Sequence, residues 1–320
     1  MRNSKRKNNI KEKTLRKFLP ILLCSALVTG FAMTGCSDKQ NVEEAAAVQE
    51  EVVKKPVREY KFPKAEEEND LLEIATDIGD EEAKNVYLTF DDGPTQEVTP
   101  KVLDVLKEHD VEATFFVLGK MLEKNRDVAE RVVDEGHLLA NHSYNHTYGS
   151  LYASEESFMD EINKTQALID EISEGDSFKL IRFPGGGHNA GSYGSAKQKY
   201  KESLKKEGYY FVDWNCLNGD AETALRSAEQ LVSRTKETAI GKNLVILMHD
   251  AAAKTTTPEA LGEIIEYFED NGYDFKRLDE IDYYTGRDAE DDAEESEDAE
   301  TDTEESEKDT PKSSSSEMIL

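Results

Sequence analysis

The sequence predicts an α/β fold in which seven parallel strands close, or nearly close, into a barrel. Between residues 84 and 287, short apolar runs alternate with longer amphipathic stretches, and repeated strand–helix units of this kind form parallel sheets. A doubly wound open sheet is the alternative. No GxGxxG or Walker-type loop follows the first predicted strand, so the sequence gives no support for nucleotide binding.

The predicted strands and helices follow from residue type and spacing. Runs rich in β-branched and aromatic residues suit a buried pleated surface, and they predict strands at Val86–Phe90, Ala113–Leu118, Leu138–Asn141, Lys179–Phe183, Tyr209–Trp214, Leu244–His249 and Asp274–Leu278. Apolar residues at helical spacing predict helices at Glu97–His109, Met121–Glu135, Glu155–Glu174 and Pro258–Asn271. A glycine that follows a polar residue ends several helical stretches, namely at Gly136, Gly208 and Gly272.

The first 36 residues predict a lipoprotein signal peptide. Residues 1–17 are rich in Lys and Arg, and the uncharged run from Phe18 to Gly35 ends directly before Cys36. This order is typical of a secretory signal, and it predicts Cys36 as the lipidated first residue of the mature protein. An uncleaved signal-anchor helix is the alternative, although the run is slightly short for a membrane span. Either reading predicts a protein tethered at the extracellular face of the cell membrane.

Composition separates the remaining chain into three parts. Residues 37–83 predict a largely disordered spacer, residues 84–287 the folded domain, and residues 288–320 an acidic, Ser-rich disordered tail. The tail carries much of the formal net charge of −29, and with no basic patch the chain is not expected to bind nucleic acid. Of the three cysteines, only Cys216 belongs to the predicted domain, so no disulfide is expected. No heptad pattern is evident, and a monomer is expected.

Polar side chains stand at the carboxyl ends of five predicted strands. In a parallel barrel these ends open on one face, where active sites are built. The sequence therefore predicts one active site that contains Asp91, Asp92, His142, His146, Arg182, Asp213 and His249.

Asp92, His142 and His146 predict a site for one divalent cation. The two histidines lie four residues apart, directly after the third predicted strand, and Asp92 follows the first. At this spacing the two histidines are expected to share one face of a helical turn. Three protein ligands with an open position are typical of catalytic metal sites. Zn²⁺ is the expected cation, and Co²⁺, Ni²⁺ or Mn²⁺ suits the same ligands. Asp91 would lie beside the cation as a base, although Asp-Asp-Gly-Pro is also typical of a simple turn.

Three further strand ends offer groups for catalysis. Arg182 can clamp a carboxylate, and the glycines after it allow close approach of the main chain to a ligand, where an N–H can stabilise an oxyanion. Asp213 and His249 end successive predicted strands, and a carboxylate beside an imidazole raises its pKa and makes it a general acid. Trp214 either packs against a sugar ring or fills the barrel mouth.

Five motifs occur in a defined order: Thr89-Phe90-Asp91-Asp92-Gly93, His142-Ser143-Tyr144-Asn145-His146, Arg182-Phe183-Pro184-Gly185-Gly186, Asp213-Trp214 and Leu247-Met248-His249. In these motifs the chain resembles the polysaccharide deacetylases, the NodB-homology carbohydrate esterases of family 4. The resemblance covers roughly residues 85–282. It implies a distorted (β/α) barrel of about seven parallel strands that removes N- or O-acetyl groups from sugar polymers.

The resemblance also implies a role for each matched residue. Asp92, His142 and His146 would hold the metal, Asp91 would be the general base, and Arg182 would orient Asp91.

The remaining roles concern the acid and the oxyanion. His249 would be the general acid, oriented by Asp213, and the backbone N–H of Gly185 would hold the oxyanion. The third motif departs from the Arg-Pro-Pro-Tyr-Gly of many members, because Phe183 and Gly185 stand at the first Pro and the Tyr positions. The substrate groove that the resemblance implies thereby lacks the aromatic wall of that Tyr. This change is expected to affect substrate preference and not the chemistry.

The expected function is N-deacetylation of a cell-wall or extracellular N-acetylglucosamine polymer, peptidoglycan first. An O-deacetylase of acetylated xylan or an exopolysaccharide would use the same site. A non-catalytic, sugar-binding lipoprotein is the alternative from a different class.

Overall fold

A computed structural model describes residues 63–76, 83–188, 191–223 and 225–281. The strands are β1 (Asn85–Asp91), β2 (Thr114–Val117), β3 (Leu138–Asn141), β4 (Leu180–Ile181), β5 (Tyr210–Phe211), β6 (Cys216–Leu217), β7 (Asn243–His249) and β8 (Asp274–Phe275). The helices are α1 (Leu71–Thr76), α2 (Thr99–His109), α3 (Gly119–Lys124), α4 (Arg126–Asp134), α5 (Tyr148–Leu151), α6 (Glu155–Ile172), α7 (Gly194–Lys206), α8 (Ala228–Thr238) and α9 (Thr257–Asp270).

The strands form one parallel sheet in the order β5-β4-β3-β2-β1-β7-β6. Strand β1 pairs with β7 along its whole length, and on its other side with β8 at its first two residues and with β2 at its last three. Strands β5 and β6 are the two edges of this order. The predicted α/β barrel is thus confirmed as a half-barrel.

Strand β6 was not predicted, because Cys216 and Leu217 are its only two residues and polar residues flank them. The predicted helix Met121–Glu135 is also two helices, α3 and α4, which meet at Asn125. The side chain of Asn125 donates a hydrogen bond to the Pro94 carbonyl, 2.8 Å away. This contact ties the junction of the two helices to the loop that follows β1.

Side chains of β1 alternate between two apolar cores, as the period of a strand requires. Val86, Leu88 and Phe90 belong to the larger core, which lies between the sheet and the helices. Tyr87 points the other way, into a second core inside the half-barrel. A buried strand with both faces covered is typical of a parallel sheet.

Helix α1 fills part of the barrel interior. Leu71, Ile74 and Ala75 are buried in the inner core, together with side chains from early positions in the strands such as Tyr87 and Leu138. The prediction of a disordered spacer is therefore wrong for residues 63–76. The charged residues around this short apolar run hid its helical spacing, and burial against the exposed interior of the open barrel stabilises it.

The predicted signal peptide with Cys36, residues 37–62 of the predicted spacer, and the acidic tail at 288–320 lie outside the described residues. None of the helices in the described ranges combines the length and the apolar composition that crossing a membrane requires.

Candidate active site

The side chains predicted to converge do lie at the carboxyl ends of the strands. Asp91 is the last residue of β1 and His249 the last residue of β7, and the two are partners in the sheet register. His142 and Arg182 directly follow β3 and β4. Adjacent parallel strands are about 4.8 Å apart, so these groups share one small area.

Asp92, His142 and His146 form the predicted cluster. One ligand atom from each residue lies within 4.8 Å of the others. Oδ1 of Asp92 is 3.8 Å from Nε2 of His142 and 3.6 Å from Nε2 of His146. This oxygen is buried and has no hydrogen-bond partner in the described part of the chain. A buried acceptor without a donor is costly unless a cation satisfies it, so these residues fit a divalent cation.

The histidines reach the cluster through left-handed backbone rather than through one helical turn. Asp92, Ser143 and His146 have φ values of 78°, 69° and 61°, a region that non-glycine residues rarely adopt. Such conformations cost free energy and persist where the surrounding structure imposes them. The prediction that the two histidines share a helix face is therefore wrong, although both side chains do reach Asp92.

Two side chains outside the predicted set hold this loop. The carboxylate of Glu161, on α6, accepts the backbone N–H groups of Tyr144 and Asn145, each at 3.2 Å. The side-chain oxygen of Asn141 accepts the N–H of Ser143 at 3.0 Å. These contacts satisfy the backbone between the two histidines and fix their separation.

His142 is neutral and oriented. Its Nδ1 lies 2.8 Å from the carbonyl oxygen of Arg182, so Nδ1 carries the proton and Nε2 presents a lone pair to Asp92. Burial, the largest cause, lowers the pKa of His142 to about 3. Histidines that bind a metal through one ring nitrogen typically donate a hydrogen bond from the other, which fixes the ring.

Arg182 contacts Asp91 as predicted. Its guanidinium is fully buried and donates to Oδ1 of Asp91 at 2.8 Å and to Oγ1 of Thr89 at 2.7 Å. It also lies over the ring of Phe116, 4.1 Å from the centroid. The charge-assisted hydrogen bond occupies Oδ1 of Asp91, which leaves Oδ2 as the oxygen that can accept a proton.

His249 is paired with Asp220, and the predicted pairing with Asp213 is wrong. Nδ1 of His249 lies 2.8 Å from Oδ1 of Asp220. Asp220 follows β6, the neighbour of β7 in the sheet, whereas Asp213 follows β5 at the opposite edge. Strands that are consecutive in sequence need not be adjacent in the sheet. Because β6 was not predicted, the sequence predicts β5 as the neighbour of β7 and Asp213 as the partner of His249.

The Asp220 contact decides the ionisation of His249. Burial alone would lower the pKa of His249, but the hydrogen bond and the charge of Asp220 outweigh it and raise the pKa to about 9. Burial tends to raise the pKa of Asp220, but the hydrogen bonds that Asp220 accepts from His249 and Thr257 bring this pKa below its usual value. His249 is therefore a protonated imidazolium at neutral pH.

Asp213 instead holds the loop at residues 182–188, which contains the third motif and is called the third-motif loop. Its Oδ1 accepts the N–H of Gly187 at 2.6 Å, and its Oδ2 lies 3.2 Å from Nε2 of His188. The ring of Trp214 packs against Gly186, where a Cβ would lie 3.1 Å from the indole. Trp214 also contacts the inner core, so it fills the barrel mouth beneath the loop.

A buried lysine, which sequence reasoning missed, fastens the same loop. Nζ of Lys197 donates to the carbonyl oxygens of Pro184 and Gly186 at 3.1 and 2.6 Å. The hydroxyl of Tyr152 donates to the Pro184 carbonyl at 2.8 Å. Burial, the largest cause, lowers the pKa of Lys197. These donors fix the backbone on both sides of Gly185.

Asp250 is a second missed residue, and it explains the glycine of the first motif. A Cβ on Gly93 would lie 2.1 Å from Oδ2 of Asp250, so no larger residue fits there. The carboxyl accepts the hydroxyl of Thr99 at 2.6 Å. Burial, the largest cause, raises the pKa of Asp250 to about 7. The Asp250 N–H donates to the Asp91 carbonyl, which connects the ends of β1 and β7.

Comparison with known proteins identifies what this arrangement resembles. The family model for polysaccharide deacetylase matches residues 78–204. A peptidoglycan-N-acetylglucosamine deacetylase of Bacillus cereus is 30% identical over 198 residues, which are 62% of this chain and 88% of that protein.

Solved structures agree with the sequence relatives. The catalytic domain of a peptidoglycan N-acetylglucosamine deacetylase from Eubacterium rectale superposes with a TM-score of 0.57 at 31% identity, over 62% of this chain and 90% of that one. A CE4 family pseudoenzyme from Bacillus anthracis superposes with a TM-score of 0.53 at 26% identity, over 62% of this chain and 66% of that one. The same fold thus carries both active and inactive relatives.

Proposed function

Because the chain belongs to the polysaccharide deacetylase family, we propose that it is a metal-dependent hydrolase that removes N-acetyl groups from an N-acetylglucosamine polymer. Peptidoglycan is the proposed polymer, since two of the relatives above are named for it. We also propose that a lipid on Cys36 holds the protein at the extracellular face of the cell membrane, on the strength of the signal-like order of residues 1–36.

The observation that carries the proposal is the meeting of three different groups. The cluster of Asp92, His142 and His146 offers a cation site. Asp91, held by Arg182, provides a base beside it, with Oδ2 of Asp91 3.7 Å from Nε2 of His142. His249 provides an acid on the next strand, in register with Asp91. A cation site, a base and an acid in this arrangement suit metal-assisted hydrolysis of an amide.

Asp91 is proposed as the general base. A divalent cation held by the cluster would act as a Lewis acid toward the acetyl carbonyl and would make water more acidic. Because Arg182 occupies Oδ1 of Asp91, Oδ2 takes the proton from the attacking water. At the same time the oxygen of that water bonds to the acetyl carbon. The hydrogen bond from Arg182 orients Asp91 for this transfer.

His249 is proposed as the general acid. As the bond between the acetyl carbon and the sugar nitrogen breaks, Nε2 of His249 gives its proton to that nitrogen, and acetate and the free amine leave. Asp220 holds the proton-bearing ring in place through Nδ1. The N–H of Gly185, on the loop held by Lys197, would stabilise the oxyanion, and one such donor contributes roughly 3 kcal/mol.

Two alternatives remain as outcomes of one experiment. The same groups would cleave an O-acetyl ester, as in acetylated xylan or an exopolysaccharide. A non-catalytic sugar-binding role is favoured only by the likeness to a pseudoenzyme at 26% identity, whereas every proposed catalytic side chain in this chain is present and in contact with a partner.

The test is acetate release by the full-length protein, with added Zn²⁺ and with a chelator. Peptidoglycan, N-acetylglucosamine oligomers and acetylated xylan are offered in parallel, and the Asp91→Asn variant is the control. Chelator-sensitive release from the first two substrates supports the proposal. Release from xylan alone shifts the assignment to an O-deacetylase. No release from any of the three, by a protein that is folded and contains metal, would overturn the catalytic assignment.

A further inference from the structure

Tyr148 stands between the cation cluster and the loop of the proposed oxyanion donor. It is the first residue of α5, two positions after the ligand His146, and the two rings are 5.3 Å apart between centroids. Its side chain is 40% exposed, and among the large hydrophobic residues of the described ranges only Leu225 and Ile240 are exposed as well. An exposed aromatic ring beside the candidate cation site is available to contact a ligand there.

The phenol of Tyr148 occupies the space that a side chain at position 185 would fill. A Cβ built on Gly185 would lie 2.8 Å from Oη and 3.3 Å from Cζ of Tyr148. Gly185 also has a φ of 74°, where glycine is favoured over other residues. The missing side chain at 185 and the ring of Tyr148 are therefore complementary in shape.

Packing fixes the orientation of the ring. Tyr148 lies 6.0 Å from the ring of Tyr152 and 6.1 Å from that of Tyr193, the latter edge to face. The hydroxyl of Tyr152 is bonded to the Pro184 carbonyl, so the aromatic group is joined to the loop that carries Gly185. Aromatic pairs at these separations and tilts are favourable. Tyr148 therefore remains partly exposed while neighbouring rings support it.

We propose that Tyr148 is the side chain that positions the sugar ring, with its accessible surface forming the wall of the groove between His146 and Gly185. The inference rests on the proposed function, which puts the acetyl group between the cation ligands and the N–H of Gly185. The ligand class is an uncharged N-acetylhexosamine unit, because the C–H face of a pyranose is apolar and packs on an aromatic ring, as apolar groups generally do. The groove thus has an aromatic wall after all, supplied from α5.

Binding and turnover are measured separately on the full-length protein. Calorimetry gives Kd for an N-acetylglucosamine oligomer, and acetate release gives KM and kcat, for the wild type, Tyr148→Phe, Tyr148→Ala and the remote surface control Ile240→Ala. Tyr148→Ala is expected to raise Kd and KM about tenfold, as loss of an aromatic contact does, and Tyr148→Phe to stay within about threefold of the wild type because the ring is kept.

Equal Kd values for the wild type and Tyr148→Ala would overturn this inference while leaving the proposed function intact. Failure of the wild type to release acetate would instead remove the proposed function, and the Kd series would still decide whether Tyr148 binds the sugar.

A double-mutant cycle tests the contact between Tyr148 and position 185. Gly185→Ala alone should lower the melting temperature and weaken binding, because its Cβ meets the phenol. The same change in a Tyr148→Ala background should cost less, since only the backbone penalty at position 185 remains. Strictly additive effects in the two backgrounds would mean that Tyr148 does not occupy this space.

Discussion

Asp220 holds His249 at two points: its Oδ1 lies 2.8 Å from Nδ1 of the imidazole, and its Oδ2 accepts the backbone N–H of His249 at 2.8 Å. Oδ2 also accepts the hydroxyl of Thr257 at 2.9 Å. Both carboxylate oxygens thus accept hydrogen bonds, and the orientation of the ring is fixed. The ionisation of the proposed acid is set by the segment after β6.

The pairing of His249 with Asp220 predicts how kcat depends on pH and how a substitution of Asp220 changes that dependence. Since the pKa of His249 is raised to about 9, the acid is protonated below that value, and kcat should fall as the pH rises through about 9. In Asp220→Asn the raising influence is lost while burial still lowers the pKa, so this limb should move to lower pH. The kcat at neutral pH should also fall, by about 10²-fold.

Asp213→Asn is the matched control for this profile. Asp213 contacts Gly187 and His188 but not His249, so its variant should change rate without moving the alkaline limb. A profile that moves with Asp213 and not with Asp220 would contradict the assignment.

Asp91→Asn should separate catalysis from metal binding. The amide cannot accept the proton of water, and removal of a general base typically lowers the rate about 10²- to 10⁴-fold. The three cluster ligands are unchanged, so metal content, measured by mass spectrometry of the purified protein, should match the wild type. Acetate release within twofold of the wild type would exclude Asp91 as the base.

His142→Ala should release the cation. Two remaining protein ligands hold a divalent ion poorly, so the dissociation constant for Zn²⁺ should rise at least about a hundredfold, as measured by competition with a chromogenic chelator. His188→Ala is the control, since the His188 side chain is 66% exposed and lies beside Asp213 rather than in the cluster. Zinc affinity that depends on His188 and not on His142 would require a different ligand set.

Lys197→Met should loosen the third-motif loop. The substitution keeps an unbranched side chain but removes the donor to Pro184 and Gly186. The Pro184 carbonyl keeps the hydroxyl of Tyr152, whereas the Gly186 carbonyl loses the Lys197 donor, and a buried carbonyl left unpaired costs about 1–3 kcal/mol. We expect a lower kcat and a lower melting temperature, both measured against Lys199→Met, an exposed lysine on the same helix. Equal values for the two variants would show that the loop does not depend on Lys197.

Leu71→Ala tests whether helix α1 belongs to the folded domain. Leu71 is fully buried in the inner core, and truncating such a leucine lowers the free energy of unfolding by about 2–5 kcal/mol. The neighbouring Leu72 is only partly buried, so Leu72→Ala should cost less. Urea denaturation of the full-length protein measures both, and a neutral Leu71→Ala would mean that α1 contributes nothing to stability.

The parallel half-barrel and the cluster of Asp92, His142 and His146 could be predicted because both follow from local pattern. Apolar runs mark the strands, and strand ends mark the site. The contact of Arg182 with Asp91 was implied by the family resemblance and not by strand order, since Arg182 follows β4 and Asp91 ends β1, with two strands between them.

What the sequence did not yield depends on contacts between distant segments. The partner of His249 required knowledge that β6 inserts beside β7, and a strand of two residues gives almost no periodic signal. Lys197 and Asp250 look like ordinary charged residues until the fold buries them. The left-handed backbone at Ser143 and His146 is imposed by neighbours such as Glu161, which lies on another element.

The shape match between Tyr148 and Gly185 also constrains how the two positions can change during evolution. A side chain gained at 185 while the phenol is present meets it at 2.8 Å, so such a change should cost less once position 148 carries a smaller residue. Lineages of this family should therefore divide into those with a bulky residue at one position and those with it at the other, and an intermediate with both should be rare. The two residues are thus coupled through space, although 37 positions separate them along the chain.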